Sequence, residues 1–260
     1  MIIWPLFKQD IRGNYRILAI FMAVCAMYIS VVAMMFDPRM GQMLQMFASL
    51  MPQMMAMFGM SSMPGTLLSF MGSYLYGFLL VILPMVFVII AANRLLARHI
   101  DRGSLAYLLA APHSRVRVAV TQLAALLAMV FALLVFCVLV GMASCAIFFP
   151  GQLDVMGFLR VNLGLAAMQL ALAAICFFGA CVGSESRNSL AIGAGIPVGF
   201  FLVKMLANMG GQLANLKYIT FYSLYDTAGL IDSKPYAYWM LAALILGSGA
   251  LYAAGIARFS

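Results

Sequence analysis

The sequence predicts an all-α membrane protein of six transmembrane helices with both termini cytoplasmic. Three observations predict it. The 260-residue chain is 66% hydrophobic and 8% charged, with a mean hydropathy of +1.07. A soluble domain carries about 25% charged residues, and so few charges would not cover a water-exposed surface. Six apolar runs reach the roughly 20 residues that a helix needs to cross a bilayer. Lysine and arginine are shared unevenly between the two sides that those runs define.

The runs are Ile17–Phe36, Phe70–Ala92, Val116–Phe149, Phe158–Val182, Ser189–Met209 and Tyr238–Ala257. The third exceeds the thickness of the hydrocarbon and so tilts or projects. The first lacks a small-residue cleavage site and reads as a span, not a signal peptide. Nothing is left over for a soluble domain, so residues 1–260 form a single transmembrane domain.

Orientation comes from the basic loop 94–117, where Arg94, Arg98, Arg102, Arg115 and Arg117 stand against one acid, Asp101. Short loops rich in lysine and arginine stay in the cytoplasm. With this loop inside, Lys8, Arg12, Arg16, Arg187 and Arg258 join its five arginines there. Only Arg39, Arg160, Lys204, Lys217 and Lys234 fall outside, ten against five. The net charge of +8 makes no groove or repeating patch. The charges sit at span ends, where they meet anionic headgroups, which argues against nucleic acid as a partner.

Four segments do not span. Residues 1–15 set Trp4, Leu6, Phe7 and Ile11 among Lys8, Asp10, Arg12 and Arg16, the pattern of an amphipathic helix on the inner membrane surface. Residues 37–69, outside, hold 9 of the 23 methionines, with Gln42, Gln45, Ser49 and Gln53 as a narrow polar stripe. That pattern predicts a short helix half-sunk in the outer leaflet and broken at Pro52. Methionine binds Cu(I), but His and Cys are both missing here. Packing, or a soft substrate-facing surface, is the preferred account, and no metal is expected. Residues 210–236 carry Tyr218, Phe221, Tyr222 and Tyr225 and read as an element capping the outer face. The turn 183–188 carries Glu185 and Arg187 and offers a second cytoplasmic contact.

Chemistry finds few parts. The five cysteines (Cys25, Cys137, Cys145, Cys176, Cys181) show neither metal-ligand spacing nor a disulfide framework, and read as small packing residues. There is no HExxH, no GxSxG and no GxxxxGK[ST] phosphate loop. Glu185 is the sole glutamate. Catalysis is therefore not expected of this chain, and any ATP hydrolysis belongs to another. Lys204 alone stands as a charge within a span; it either faces the interior or snorkels outward.

The basic loop also has an internal design. Leu105, Leu108 and Leu109 fall at i, i+3 and i+4, one face of a helix, and Pro112 stops that helix before the next span. The run Asp101-Arg102-Gly103-Ser104-Leu105, followed by Leu108-Leu109-Ala110-Ala111-Pro112-His113-Ser114-Arg115, resembles the ABC type-2 permeases of bacteria. Met63-Pro64-Gly65-Thr66-Leu67-Leu68 before the second span and Phe221-Tyr222-Ser223-Leu224-Tyr225-Asp226 before the last extend the resemblance over nearly the whole chain. It departs in one place: the family commonly carries two or three acids before the glycine, and this chain has His99, Ile100 and Asp101.

The resemblance implies a six-span half-transporter that pairs with a second permease copy and two cytoplasmic ATPase subunits, which hold the ATP and magnesium. It implies that loop 94–117 is a coupling helix, with Leu105, Leu108 and Leu109 in a groove of the ATPase. Asp101, Arg102, Gly103, Pro112, Arg115 and Glu185 would frame that contact. It further implies a substrate cavity between spans two and five, with Tyr74, Phe78 and Leu79 opposite Phe200, Phe201 and Lys204.

Small residues at four-residue spacing let helices approach closely. Gly195 with Gly199, and Gly179 with Gly183, have that spacing, and the first pair is the expected dimer contact. Two functions stay open at this point. One is the permease of an ATP-driven exporter of a hydrophobic or amphipathic compound such as a peptide, antibiotic or lipid. The alternative is an ATP-independent carrier or a structural or assembly protein of the membrane. A carrier is expected to show internal repeats and buried ionisable residues.

Overall fold

The structure, a computed structural model, describes residues 2–36, 50–57, 66–97, 115–183 and 186–258. Among these the regular secondary structure is all helix, with no strand. Six helices are long and apolar enough to cross a membrane, so this is a multi-pass membrane protein. They are α1 (Trp4–Met34), α2 (Leu67–Leu95), α3 (Arg115–Phe148), α4 (Val155–Val182), α5 (Ser186–Asn208) and α6 (Pro235–Ala257). Large apolar side chains such as Phe131, Leu163, Trp239 and Leu246 stand outward. In water such a surface would be a liability; in lipid it is the solvent-facing side.

The helices alternate in direction. Ile3 N donates to Thr121 Oγ1 at 3.0 Å, and Ser30 Oγ meets Ser144 Oγ at 3.2 Å, so α1 and α3 run parallel. Phe36 packs on both Phe149 and Phe70, which brings the ends of α1 and α3 to the start of α2. Asn162 donates to Tyr76 Oη, and Gln169 to the Leu80 and Val81 carbonyls, so α4 runs parallel to α2. One end of the bundle therefore collects Lys8, Arg12, Arg16, Arg94, Arg117 and Arg258; we call it the basic end and the other the distal end.

The first helix differs from the sequence expectation. Residues 4–15 are not a separate surface helix; they are the first turns of α1, continuous through Met34. At about 1.5 Å per residue, 31 residues make a rod of ~46 Å, well beyond the ~30 Å hydrocarbon core. The physical reason lies in the inward face. Asp10 and Asn14 are buried, Ile11 and Ile17 pack on the core, and Thr121 of α3 receives the Ile3 N–H. The charged residues Lys8, Arg12 and Arg16 stay exposed on the opposite side. Tertiary packing against α3 thus keeps the segment continuous with the rest of α1.

Helix α4 is the central post, packing against α2, α3, α5 and α6. It also repairs two proline breaks. Pro84 inside α2 has no N–H for the Leu80 carbonyl, and Pro197 inside α5 has none for the Gly193 carbonyl. In lipid no water replaces those bonds. Gln169 Nε2 of α4 reaches the Leu80 and Val81 carbonyls at 3.4 and 3.1 Å, and Cys176 Sγ of α4 reaches the Gly193 carbonyl at 3.0 Å. Tyr252 Oη of α6 bonds back to the Leu170 carbonyl at 2.7 Å. The expectation that cysteines pack as small apolar residues holds in part. All five are free thiols and four are buried, but Cys176 also serves as a donor.

Glycines decide how closely α4 is approached. A Cβ on Gly179 would stand 2.9 Å from the backbone nitrogen of Gly193, and one on Gly183 would stand 2.7 Å from that of Ser189. The Gly179/Gly183 pair is therefore consumed inside the protomer, at the α4–α5 contact.

Candidate functional site

The sequence of α2 sets up a cavity at the distal end. Ser69, Gly72, Ser73 and Gly77 put small or polar groups on one side of the helix, and Gly72–Leu79 is wound as a π-helix. Such wide turns are rare and are frequently found at functional sites. Tyr76 on the other side is buried and takes the Asn162 amide at 2.8 Å, which anchors the widened turns to α4. The space left by the small residues faces Lys204 and Asn208, one turn apart at the end of α5. The segment Tyr225–Asp232 closes it, and its volume is about 330 Å³.

That closing segment behaves unlike a lipid-interface belt. It consists of short 3₁₀ turns, Gly211–Tyr218 and Phe221–Leu224, and the helix Thr227–Ile231. Tyr222 and Tyr225 are buried in the bundle. Tyr222 Oη lies 3.1 Å from the Pro197 carbonyl and 3.0 Å from the Met85 sulfur, and Tyr225 Oη donates to the Val161 carbonyl at 3.4 Å. The aromatics thus plug α5 onto α2 and α4, and only Tyr218 stands out at the surface. A buried phenol needs a partner for its hydroxyl, and helix carbonyls supply it.

Lys204 does not snorkel away from this site. Its Nζ lies 6.0 Å from the ring centroids of both Tyr222 and Tyr225, at the limit of cation–π attraction. Among the described residues no carboxylate lies within 4 Å of it. Asp226, across the cavity, accepts from Tyr236 Oη at 2.8 Å. Asp232 is bonded to Lys234 at 3.2 Å, and that bond pushes Lys234 above the ordinary lysine value. Asp232 is thereby engaged by Lys234, while Lys204 and Asp226 both line the cavity.

A second hollow adjoins the first. Met51, Met54, Met57 and Met209, with Leu50 and Gln53, line a mostly apolar space of about 380 Å³. The six-residue helix Pro52–Met57, which Pro52 opens, contributes Ala56 to the polar cavity and Met57 to the apolar one. Neighbours Asn208 and Met209 divide in the same way.

Of the six residues expected in a cavity between the second and fifth spans, Lys204 lines this one. Phe78 and Phe201 do meet across α2 and α5, with ring centroids 5.8 Å apart, but as packing, and Phe201 is buried. Tyr74 packs on Phe70, Phe200 on Phe221, and Leu79 against the core. Sequence reasoning missed Ser69, Ser73, Asn208 and Asp226. The available signals were the serine and glycine spacing in α2 and the acid after the aromatic run. Gly195 and Gly199 stand on the exposed face of α5 beside Ile196, Val198 and Leu202. No atom lies within 4 Å of a Cβ built on either glycine.

The expected coupling residues Asp101, Arg102, Gly103, Leu105, Leu108, Leu109 and Pro112, and Glu185, lie outside the described residues. Arg115 opens α3. Among the described residues no three His, Cys, Asp or Glu side chains come together as a metal site would require. Comparison with known proteins finds no family model and no curated relative that matches the chain.

Proposed function

We propose that this chain is the permease subunit of an ATP-driven exporter in the cytoplasmic membrane, moving a hydrophobic or amphipathic compound. It is non-catalytic: two copies of a separate ATPase bind ATP and magnesium, and a second permease copy completes the pore. The observation that carries this reading is the segment from Asp101 to Arg115, placed between the second and third spanning helices of six. Supporting it, the connection from α2 to α3 falls at the basic end, where α1 begins and α6 finishes. The ten-to-five distribution of lysine and arginine favours a cytoplasmic location for that end and for both termini.

A helix carrying Leu105, Leu108 and Leu109 on one face has no lipid to hide in once it leaves the membrane. Fully burying one leucine is worth about 1.5–3 kcal/mol, enough for a partner's groove to hold the helix as a lever. ATP-driven closure of two ATPases then moves the attached spans as rigid bodies. The test replaces Leu108 and Leu109 together with aspartate. The variant is expected to insert at normal levels and to lose at least tenfold in co-purified, stimulated ATPase. A correctly inserted variant that retains a fully stimulated ATPase overturns the reading.

Orientation has its own check. In a background with the five native thiols replaced by alanine, cysteines at Gln45 and Lys217 are expected to react with an impermeant thiol reagent added to intact cells. One at Ser104 is expected to react only after the cells are opened. Labelling of Ser104→Cys in sealed cells reverses the topology.

A further inference from the structure

We propose that the distal cavity and the adjoining methionine-lined hollow together form a binding site for a zwitterionic amphiphile, one molecule bearing an anion, an ammonium and a hydrocarbon tail. This goes beyond the exporter reading and does not depend on it, because equilibrium binding requires no ATPase.

Charge selects the head. Lys204 presents an ammonium to the cavity without a carboxylate within 4 Å among the described residues. The Tyr222 and Tyr225 ring faces beside it soften the charge, and among the described residues its hydrogen-bond donors have no partner. An anionic group of a ligand is what those donors lack. A purely anionic head also meets the carboxylate of Asp226, and a purely cationic one meets Lys204. A head with both charges satisfies both residues, its anion on Lys204 and its ammonium toward Asp226. Ser69, Thr227 and Asn208 supply neutral hydrogen-bonding groups around it.

Geometry selects the tail. The polar cavity and the apolar hollow share the helix Pro52–Met57 and the end of α5, where Asn208 faces one and Met209 the other. Methionine side chains are flexible and polarisable and adapt to chains of varied shape. A small amino acid or free head fills only the first space. A molecule with head and tail fills both, and its tail replaces water on the four methionines. The π-helical turns of α2 make the polar room possible: a side chain on Gly72 would strike Ile231, and Gly77 borders the cavity deeper along the same helix.

The test uses the full chain in maltoside micelles with three probes: lysophosphatidylethanolamine, lysophosphatidylglycerol and tail-less glycerophosphoethanolamine. The first is expected to bind saturably, at least tenfold more tightly than either of the others. Lys204→Gln is expected to weaken the lysophosphatidylethanolamine at least tenfold. Asp226→Asn keeps an acceptor for Tyr236 and removes only the charge; it is expected to shift the preference toward the phosphatidylglycerol form. If Lys204→Gln does not fold, this change in preference at Asp226 carries the test. Equal binding of the two lysolipids by the native chain overturns the proposal. So does undiminished binding by a folded Lys204→Gln chain, or equal binding of the tail-less head.

Discussion

Gly179→Leu is expected to lower the thermal midpoint of the purified protein markedly, because it wedges α5 away from α4. The nearest atom that its Cβ would meet is backbone, the nitrogen of Gly193 at 2.9 Å, followed by Ile192 Cγ2 at 3.1 Å and the Cα of Gly193 at 3.2 Å. A side chain can rotate away; a helix backbone cannot, so α5 must separate from α4. Overpacking costs about 1–3 kcal/mol where neighbours can adjust, and this site stands at the upper end because they cannot. Separation also takes Cys176 from the Gly193 carbonyl and Ser189 from the Gly179 carbonyl, both buried bonds. The contrasting change is Gly195→Leu with Gly199→Leu. Those positions are open in the protomer, so the midpoint should hold while the dimer fraction, read by cross-linking in membranes, falls. A stable, dimeric Gly195→Leu, Gly199→Leu protein would place the subunit contact elsewhere. A Gly179→Leu protein with an unchanged midpoint would contradict the packing described here.

Gln169→Leu is expected to destabilise the protein more when Pro84 is present than when it is replaced. The leucine fills most of the glutamine's volume but donates nothing, so the Leu80 and Val81 carbonyls lose the bonds at 3.4 and 3.1 Å. Side-chain hydrogen bonds within membranes average about 0.6 kcal/mol and reach about 1.7. Two longish bonds from one amide, whose own oxygen finds no partner among the described residues, belong near 1 kcal/mol on that scale. The decisive experiment is the double-mutant cycle with Pro84→Ala. Alanine restores the N–H that the Leu80 carbonyl lacks, so Gln169→Leu in that background should cost less than half as much. Equal costs in both backgrounds would show that Gln169 packs and does not repair the break.

The six spans were legible because a spanning helix declares itself by length and hydropathy alone. The runs beginning Ile17, Phe70 and Val116 end within three residues of the ends of α1, α2 and α3, with the observed helices starting earlier. Those early turns are polar or mixed, and tertiary contacts decide them. Asp10 and Asn14 look like a water-facing edge in the sequence, yet both are buried within α1. The candidate site was half legible. A lysine at position 204 in an apolar run is conspicuous. Its cavity is not, because Ser69, Gly72, Ser73 and Gly77 face it together only once the turns of α2 widen.

What the sequence by itself determined about this protein is its medium. An excess of apolar residues in runs of spanning length can be buried only in lipid, and that holds whatever the helices touch. Which glycine pair is spent inside the protomer was a tertiary decision: Gly179 and Gly183 abut α5, while Gly195 and Gly199 face outward. So was the role of Tyr222 and Tyr225, which seal helix carbonyls beside Lys204 where their composition suggests an interfacial belt. The physical reason is the same in each case. Hydropathy is a property of one residue at a time and survives without a fold, whereas a close approach, a repaired carbonyl or a cavity wall belongs to pairs of residues far apart in the chain. Only packing brings those pairs together.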